Sequence, residues 1–287
     1  MPEKPLISII TVNLNDVEGL KRTMTSVFEQ TYKEYEYIVI DGGSTDGSKE
    51  YIESHSDKID TWVSEKDSGI YNAMNKGIKV ATGEYFLFLN SGDWLHKVNI
   101  LEITAPVFSN NYSIYYGNVE RIYNGNKKKI KTYPSQLSFS FFIDSALAHQ
   151  AVFIKRSLFF DLFLYNERSK VLGDWEFLIV AICKYNIKTF YLNRIISYYP
   201  MNGISSSTKG RQIMDEERER CYKEHFPLFI QDWKELENNR VYLNSPKVKL
   251  FREINSTRRL SVITFFILKK FKSILKIKNM QKKFLNL

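Results

Sequence analysis

The residues of this chain with a capacity for chemistry stand where apolar runs stop. Residues 6–12 are followed by Asn13 and residues 37–40 by Asp41. Residues 61–64 lead to Glu65 and Asp67, and residues 85–89 lead into Asn90 through Asp93. Each run therefore ends on amide or carboxylate oxygens, which accept hydrogen bonds from a ligand. A further acid, Asp174, opens a helix-like stretch that extends to about Tyr185. Other chemistries lack their signatures: there is no G-x-G-x-x-G behind the first run, no P-loop and no H-E-x-x-H. The four histidines, at 55, 96, 149 and 225, have no metal-ligand spacing. Cys183 and Cys221 form no metal-type pair and read as reduced, structural thiols.

The elements that must position these residues follow from periodicity. Residues 6–12, 37–40, 61–64 and 85–89 read as strands. Between them Val17, Leu20, Met24, Val27 and Phe28 recur at helical spacing, as do Ile70, Met74, Ile78 and Ala81. Asn15 and Asp16 offer caps for the first helix, with Glu18 placed as in a capping box, and Asp46 begins a second helix. Such alternation predicts a mainly parallel sheet with helices on both faces, whose chemistry gathers beyond the carboxyl ends of the strands. After residue 110 the alternation stops. Residues 114–123 and 127–133 read as strands around the turn Asn124-Gly125-Asn126. Residues 151–154 and 189–199 read as further strands.

The net charge is +9, and its placement is informative. From Ser256 onward there are nine Lys or Arg residues and no acid, which accounts for the whole excess. An electroneutral body disfavours nucleic acid, whereas a basic tail favours a local anchor. Residues 262–268, then Phe271, Ile274, Leu275 and Ile277, are apolar among lysines. That run is far short of the about 20 residues needed to cross a bilayer, so it is expected to lie in the interface of an anionic membrane. The start of the chain carries no pattern of a secretory signal, and the sparse cysteines fit a reducing compartment.

An ordered set of segments resembles glycosyltransferase family 2, the inverting enzymes of GT-A fold. The segments are Ser8 to Asn13, Val39-Ile40-Asp41-Gly42-Gly43-Ser44-Thr45-Asp46-Gly47-Ser48, Ser64 to Gly77, Gly83-Glu84-Tyr85 and Leu89-Asn90-Ser91-Gly92-Asp93. His149-Gln150 and Gly173-Asp174-Trp175-Glu176 extend the match. The resemblance implies an α/β GT-A domain over residues 1–210, with a donor half at about 1–110 and an acceptor half at about 111–210. A helical extension follows over 211–287. It implies that Thr11, Asn13, Asp41 and Asp67 hold the nucleotide. Asn90-Ser91-Gly92-Asp93 occupies the place of the family's D-x-D, with Asn90 and Gly92 where acids are frequent, so Asp93 is the metal ligand for Mn²⁺ or Mg²⁺. Asp174 is implied as the base that takes the acceptor's proton. Asn90, His149, Gln150, Trp175 and Glu176 are possible donor or acceptor contacts. The segment 202–207 is a loop that could close over the donor.

The expected activity is transfer of a hexosyl or N-acetylhexosaminyl group from a nucleotide-diphosphate sugar, UDP being the common base. The acceptor is a hydroxyl of a polysaccharide or lipid-linked glycan, as in capsule, exopolysaccharide, lipopolysaccharide or colanic-acid synthesis. The expected location is peripheral, at the cytoplasmic face of the inner membrane. Two alternatives stay open. One is a catalytically weak or non-catalytic nucleotide-sugar-binding protein tethered to a membrane. The other is a nucleotidyltransferase, although Asn13-Leu14-Asn15-Asp16 lacks the Gly-rich, basic loop such enzymes show.

Overall fold

A computed structural model describes residues 5–123, 127–201 and 208–256, together with 262–263, 266–267 and 269–272. The chain divides into two compact units, Met1–His225 and Phe226–Leu287. The first unit is built on one nine-stranded sheet. Strands β1 (Ile7–Asn13), β2 (Tyr35–Asp41), β3 (Thr61–Ser64) and β4 (Tyr85–Phe88) run parallel in the order β3-β2-β1-β4. β1 and β4 are buried along their whole length, as central parallel strands must be. The register pairs Asn13 with Asp41 and Asp41 with Ser64, so three polar side chains line one edge of the sheet.

Beyond β4 the sheet becomes mixed. β5 is Trp94–Leu95, β6 Ile114–Tyr123, β7 Lys127–Lys131, β8 Val152–Lys155 and β9 Thr189–Pro200. β8 lies antiparallel between β4 and β6, β9 runs parallel to β6, and β5 closes the row against β9. β7 pairs with β6 from Tyr123↔Lys127 inward, and the turn residues 124–126 lie outside the described residues.

The helices of the first unit are α1 (Val17–Phe28), α2 (Ser48–Glu53), α3 (Ile70–Val80), α4 (Ile100–Thr104), α5 (Phe139–Asp144), α6 (Arg156–Asp161), α7 (Gly173–Ile179) and α8 (Thr208–His225). α1 buries Leu20, Met24 and Val27 at helical spacing against the core. α3 lies directly on β1, since a Cβ at Gly77 would come within 2.5 Å of Ile10 Cγ2. In the second unit, α9 (Ile230–Asn244) and α10 (Pro246–Ser256) follow. The first unit runs to His225, past the boundary drawn near 210, because α8 bonds to the segment before α7.

Local expectations at three helix starts are corrected. α1 is capped by Asp16, whose Oδ1 accepts the Gly19 N–H at 3.1 Å, while Glu18 pairs with Lys21 at 2.7 Å. Asn15 sits in the left-handed region with φ 51°, so no capping box forms from it. α2 begins after Gly47, with φ 95°. Asp46 bonds the Ser48 N–H and the Val17 N–H, joining two helix starts. α7 begins at Gly173 with Leu172 as its cap residue, so Asp174 is inside the helix and is not its cap. The helix ends in a π turn, Val180–Lys184. Most of the basic tail and the segment 202–207 lie outside the described residues. Among the described residues no helix is long and apolar enough to cross a membrane.

Candidate active site

The ends of β1 and β2 are welded by one carboxylate. Asp41 Oδ1 accepts from Asn13 Nδ2 at 2.7 Å and from the Ser44 hydroxyl at 2.6 Å. Oδ2 accepts the Gly43 and Ser44 N–H groups at 3.1 and 2.9 Å and the Ser64 hydroxyl at 2.7 Å. Burial pushes this carboxyl up, but the bonds from Ser44, Ser64 and Asn13 outweigh it and hold it below the usual range. Asp41 is thus the organiser of the loop over 42–45. Asn13, which donates to Asp41, keeps its own Oδ1 buried without a partner. Ser44 and Ser64 share this task, and sequence reasoning assigned neither a role. Thr11 turns inward: its hydroxyl meets Tyr37 Oη at 3.0 Å and donates to the Leu89 carbonyl at 2.8 Å. It is fully buried, so it braces the strands and presents nothing to a nucleotide.

Asp67 holds the turn into α3 by accepting the Gly69 N–H at 3.0 Å. It lies against Gly42, where a Cβ would come within 2.5 Å of Asp67 Oδ2. Glu65, by contrast, pairs with Lys76 at 2.7 Å.

After β4 the chain makes a tight turn at Gly92, with φ 94°. The Thr23 hydroxyl fixes this turn from α1, accepting the Gly92 N–H at 3.1 Å and lying 2.6 Å from the Asp93 carbonyl oxygen. Asp93 is 6% exposed. Its Oδ1 accepts from Gln150 Nε2 at 3.4 Å, and its Oδ2 lies 3.7 Å from His149 Nε2. Burial raises the carboxyl, and His149, Gln150 and Arg22 offset this only in part. Asn90 Oδ1 is buried and unpartnered. A buried carboxylate near its limit of desolvation and an orphaned amide oxygen are hard donors of the kind Mn²⁺ or Mg²⁺ takes, alongside phosphate oxygens and water. The residues present therefore fit a divalent ion.

His149 joins this corner to the base candidate. Its Nδ1 lies 3.2 Å from Asp174 Oδ2. Burial alone would lower the imidazole, but the bond to Asp174 and the nearness of Asp93 push it up to about 10. Asp174 Oδ1 also accepts the Tyr71 hydroxyl at 2.9 Å. Tyr71 belongs to α3, and Gly173 lets the two helices meet, since a Cβ there would come within 2.9 Å of the ring. Tyr71 is the residue that sequence reasoning quoted but gave no role. Its signal was a tyrosine on the buried face of a helix, whose hydroxyl needs a partner.

Two neighbours of Asp174 face elsewhere. Trp175 is core: it is 1% exposed and its Nε1 donates to the Phe142 carbonyl at 3.1 Å. It cannot wall an acceptor sugar. Glu176 is also buried and turns toward Asn166, Arg220 and His225. Glu176, Glu224 and His225 bring ligand atoms within 4.8 Å of one another. Arg220 lies 3.3 Å from Glu176 and Arg168 3.1 Å from Glu224, so cations already balance both acids. A separate groove of about 630 Å³ runs between α1 and β5, lined in part by Arg22, Trp94, His96 and Tyr198. It contains none of the carboxylates Asp41, Asp67, Asp93 or Asp174. Asn13 Oδ1, Asn90 Oδ1 and His149 Nε2 are among the buried side-chain atoms without a hydrogen-bond partner.

Comparison with known proteins bears on the family and the fold. A PGL/p-HBAD biosynthesis glycosyltransferase of Mycobacterium bovis is 28% identical over 221 residues, covering 73% of this chain and 83% of that protein. The crystal structure of S. aureus TarS 1-349 in complex with UDP-GlcNAc superposes with a TM-score of 0.59 at 18% identity, over 72% of this chain and 64% of that one. A mannosyltransferase of Pyrobaculum calidifontis, in complex with GDP-Man and Mn²⁺, gives a TM-score of 0.56 at 13% identity, over 92% of this chain and 84% of that one. The family model of glycosyl transferase family 2 matches residues 8–166, more than half of the sequence. With its four parallel strands continued into a mixed sheet, this chain is a glycosyltransferase of family 2 with the GT-A fold.

Proposed function

We propose that the enzyme is an inverting transferase that moves a sugar from a UDP-sugar to a hydroxyl of a polysaccharide or lipid-linked glycan in surface-glycan synthesis. The carrying observation is the His149 bridge, which brings Asp93 and Asp174 to the two ends of one imidazole. Asn13, at the end of β1, and Asp67, which lies against Gly42 of the loop that Asp41 organises, receive the nucleotide. Asp93 and the Asn90 amide oxygen would hold a Mn²⁺ or Mg²⁺ ion, which when bound offsets charge on the diphosphate. The acceptor oxygen bonds to the anomeric carbon as the carbon–oxygen bond to the diphosphate breaks, and Asp174 takes the acceptor's proton. Tyr71 and His149 keep that carboxylate aimed. The bound UDP-GlcNAc of the TarS relative supports a UDP-linked donor, and the donor half at about 1–110 and acceptor half at about 111–210 divide the labour.

The basic tail from Ser256 suits a peripheral place on the anionic inner face of a membrane, where a lipid-carried acceptor resides. The test of the donor site is a thermal-shift panel of UDP, GDP, UDP-GlcNAc and GDP-Man, with and without Mn²⁺. Stabilisation by a uridine nucleotide, greater with the metal, supports the reading. Absence of any shift at saturating nucleotide sinks it.

A further inference from the structure

α7 carries Asp174 but cannot cap itself. Its cap residue is Leu172, whose side chain accepts nothing. The N–H groups ahead of the helix need an acceptor, and one arrives from α8. The Glu217 carboxylate accepts the backbone N–H groups of three successive residues: Lys170 on Oε1, and Val171 at 3.2 Å and Leu172 at 2.8 Å on Oε2. Glu217 is 5% exposed, so these bonds replace its hydration. An ionised carboxylate at a helix N-terminus also interacts favourably with the helix dipole.

The next turn of α8 continues the hold. Arg220, three residues on, meets the Ser169 hydroxyl and lies 3.3 Å from Glu176 Oε2. His225 Nε2 lies 3.3 Å from Glu176 Oε1. α8 therefore grips α7 at Glu176, two residues past Asp174, and grips the chain just before the helix. Tyr71 and His149 then receive Asp174 from the other side.

We propose that Glu217 is a positioning residue for the transfer reaction: by binding the amides of residues 170–172 it sets the place of the Asp174 carboxylate. This rests on the reading of Asp174 as the base. Glu217 touches no substrate, and its influence travels through the start of α7 alone.

The experiment compares Glu217→Gln with the unaltered chain by hydrogen exchange and by kinetics. Gln keeps the shape but sets an NH2 group against the same N–H donors. Exchange at amides 170–172 should quicken at least tenfold, with the amides of β1 and β4 unchanged. Turnover of the nucleotide sugar selected by the thermal-shift panel, followed as nucleoside diphosphate release, should fall at least tenfold, with its KM within twofold. A role confined to stability would lower the melting temperature and leave kcat per folded molecule intact. Unchanged exchange at 170–172 overturns the proposal, and so does faster exchange with kcat unchanged. Hydrogen exchange needs no substrate, so this arm reads out even for an inactive variant, and the amides of β1 and β4 report whether that variant is folded. The base assignment fails on its own ground if Asp174→Asn keeps full turnover, whatever Glu217→Gln does.

Discussion

The hydroxyl of Tyr71 donates to Asp174 Oδ1 at 2.9 Å, joining residues 103 positions apart. α3 begins just past Asp67 on the proposed nucleotide side, while α7 carries the proposed base, so this bond ties one function to the other. Tyr71→Phe removes the donor and keeps the ring that Gly173 abuts. We expect kcat to drop about tenfold, equivalent to about 1.4 kcal/mol of transition-state free energy, with donor affinity unchanged. Isothermal titration with the donor beside steady-state rates would separate the two. A rise in KM at constant kcat would contradict the assignment.

Asp93→Ala should abolish the part of nucleotide stabilisation that depends on Mn²⁺ and leave the metal-free part. Asn90→Ala should weaken the same increment less, since an amide oxygen is the poorer ligand. Melting curves at stepped Mn²⁺ would show it, and an undiminished metal response in Asp93→Ala would relocate the ion.

His149 is pushed up to about 10 from its ordinary 6.5. The folded chain therefore holds this proton more tightly than the unfolded chain. The stabilisation is complete below about pH 6.5 and is lost as pH rises through about 10. The gap in melting temperature between the unaltered protein and His149→Gln should be widest near pH 6 and narrow toward pH 10. A gap that stays constant, or widens with pH, would mean that His149 is neutral in the folded state.

Trp175→Ala should destabilise by roughly 3–5 kcal/mol, the usual cost of deleting a buried aromatic. Trp175→Phe should cost less, chiefly the bond to the Phe142 carbonyl. Chemical denaturation measures both. A full-stability Trp175→Ala with impaired acceptor use would restore the sugar-wall role.

Ending the chain before Ser256 removes all nine tail cations. The shortened protein should no longer sediment with vesicles containing anionic lipid, and the full-length protein should dissociate as salt rises. Full retention of the shortened chain would reject the anchor.

Strands such as β1 and β4 were legible because parallel strands buried on both faces read as unbroken apolar runs, and polar residues then mark their ends. Asn13, Asp41, Asp67 and Asp93 were found that way. Depth along the run was not legible: Thr11 shares a face of β1 with Asn13, two residues on, but lies further from the strand's end and bonds Tyr37 and Leu89. Trp175 and Glu176 follow Asp174 in sequence, but on a helix they diverge from it by about 100° and about 200°, so neither shares its face. The partner of Tyr71, and the role of Glu217 altogether, were beyond reach for a different reason. Their partners are fixed by how α3, α7 and α8 meet, and Glu217 sits in the run Asp215-Glu216-Glu217-Arg218-Glu219-Arg220, where nothing separates a buried acid from solvated ones.

β8 enters the sheet beside β4 although the segment from β5 to α5 separates them in sequence. β4 itself pairs with β1 from Ile7↔Tyr85 and with β8 from Tyr85↔Lys155, so both of its pairings close long loops. In a chain emerging during synthesis, all of β1 to β4 precede the segments that carry His149 and Asp174, so the corner where these two meet Asp93 is the last part of the sheet's end to be completed.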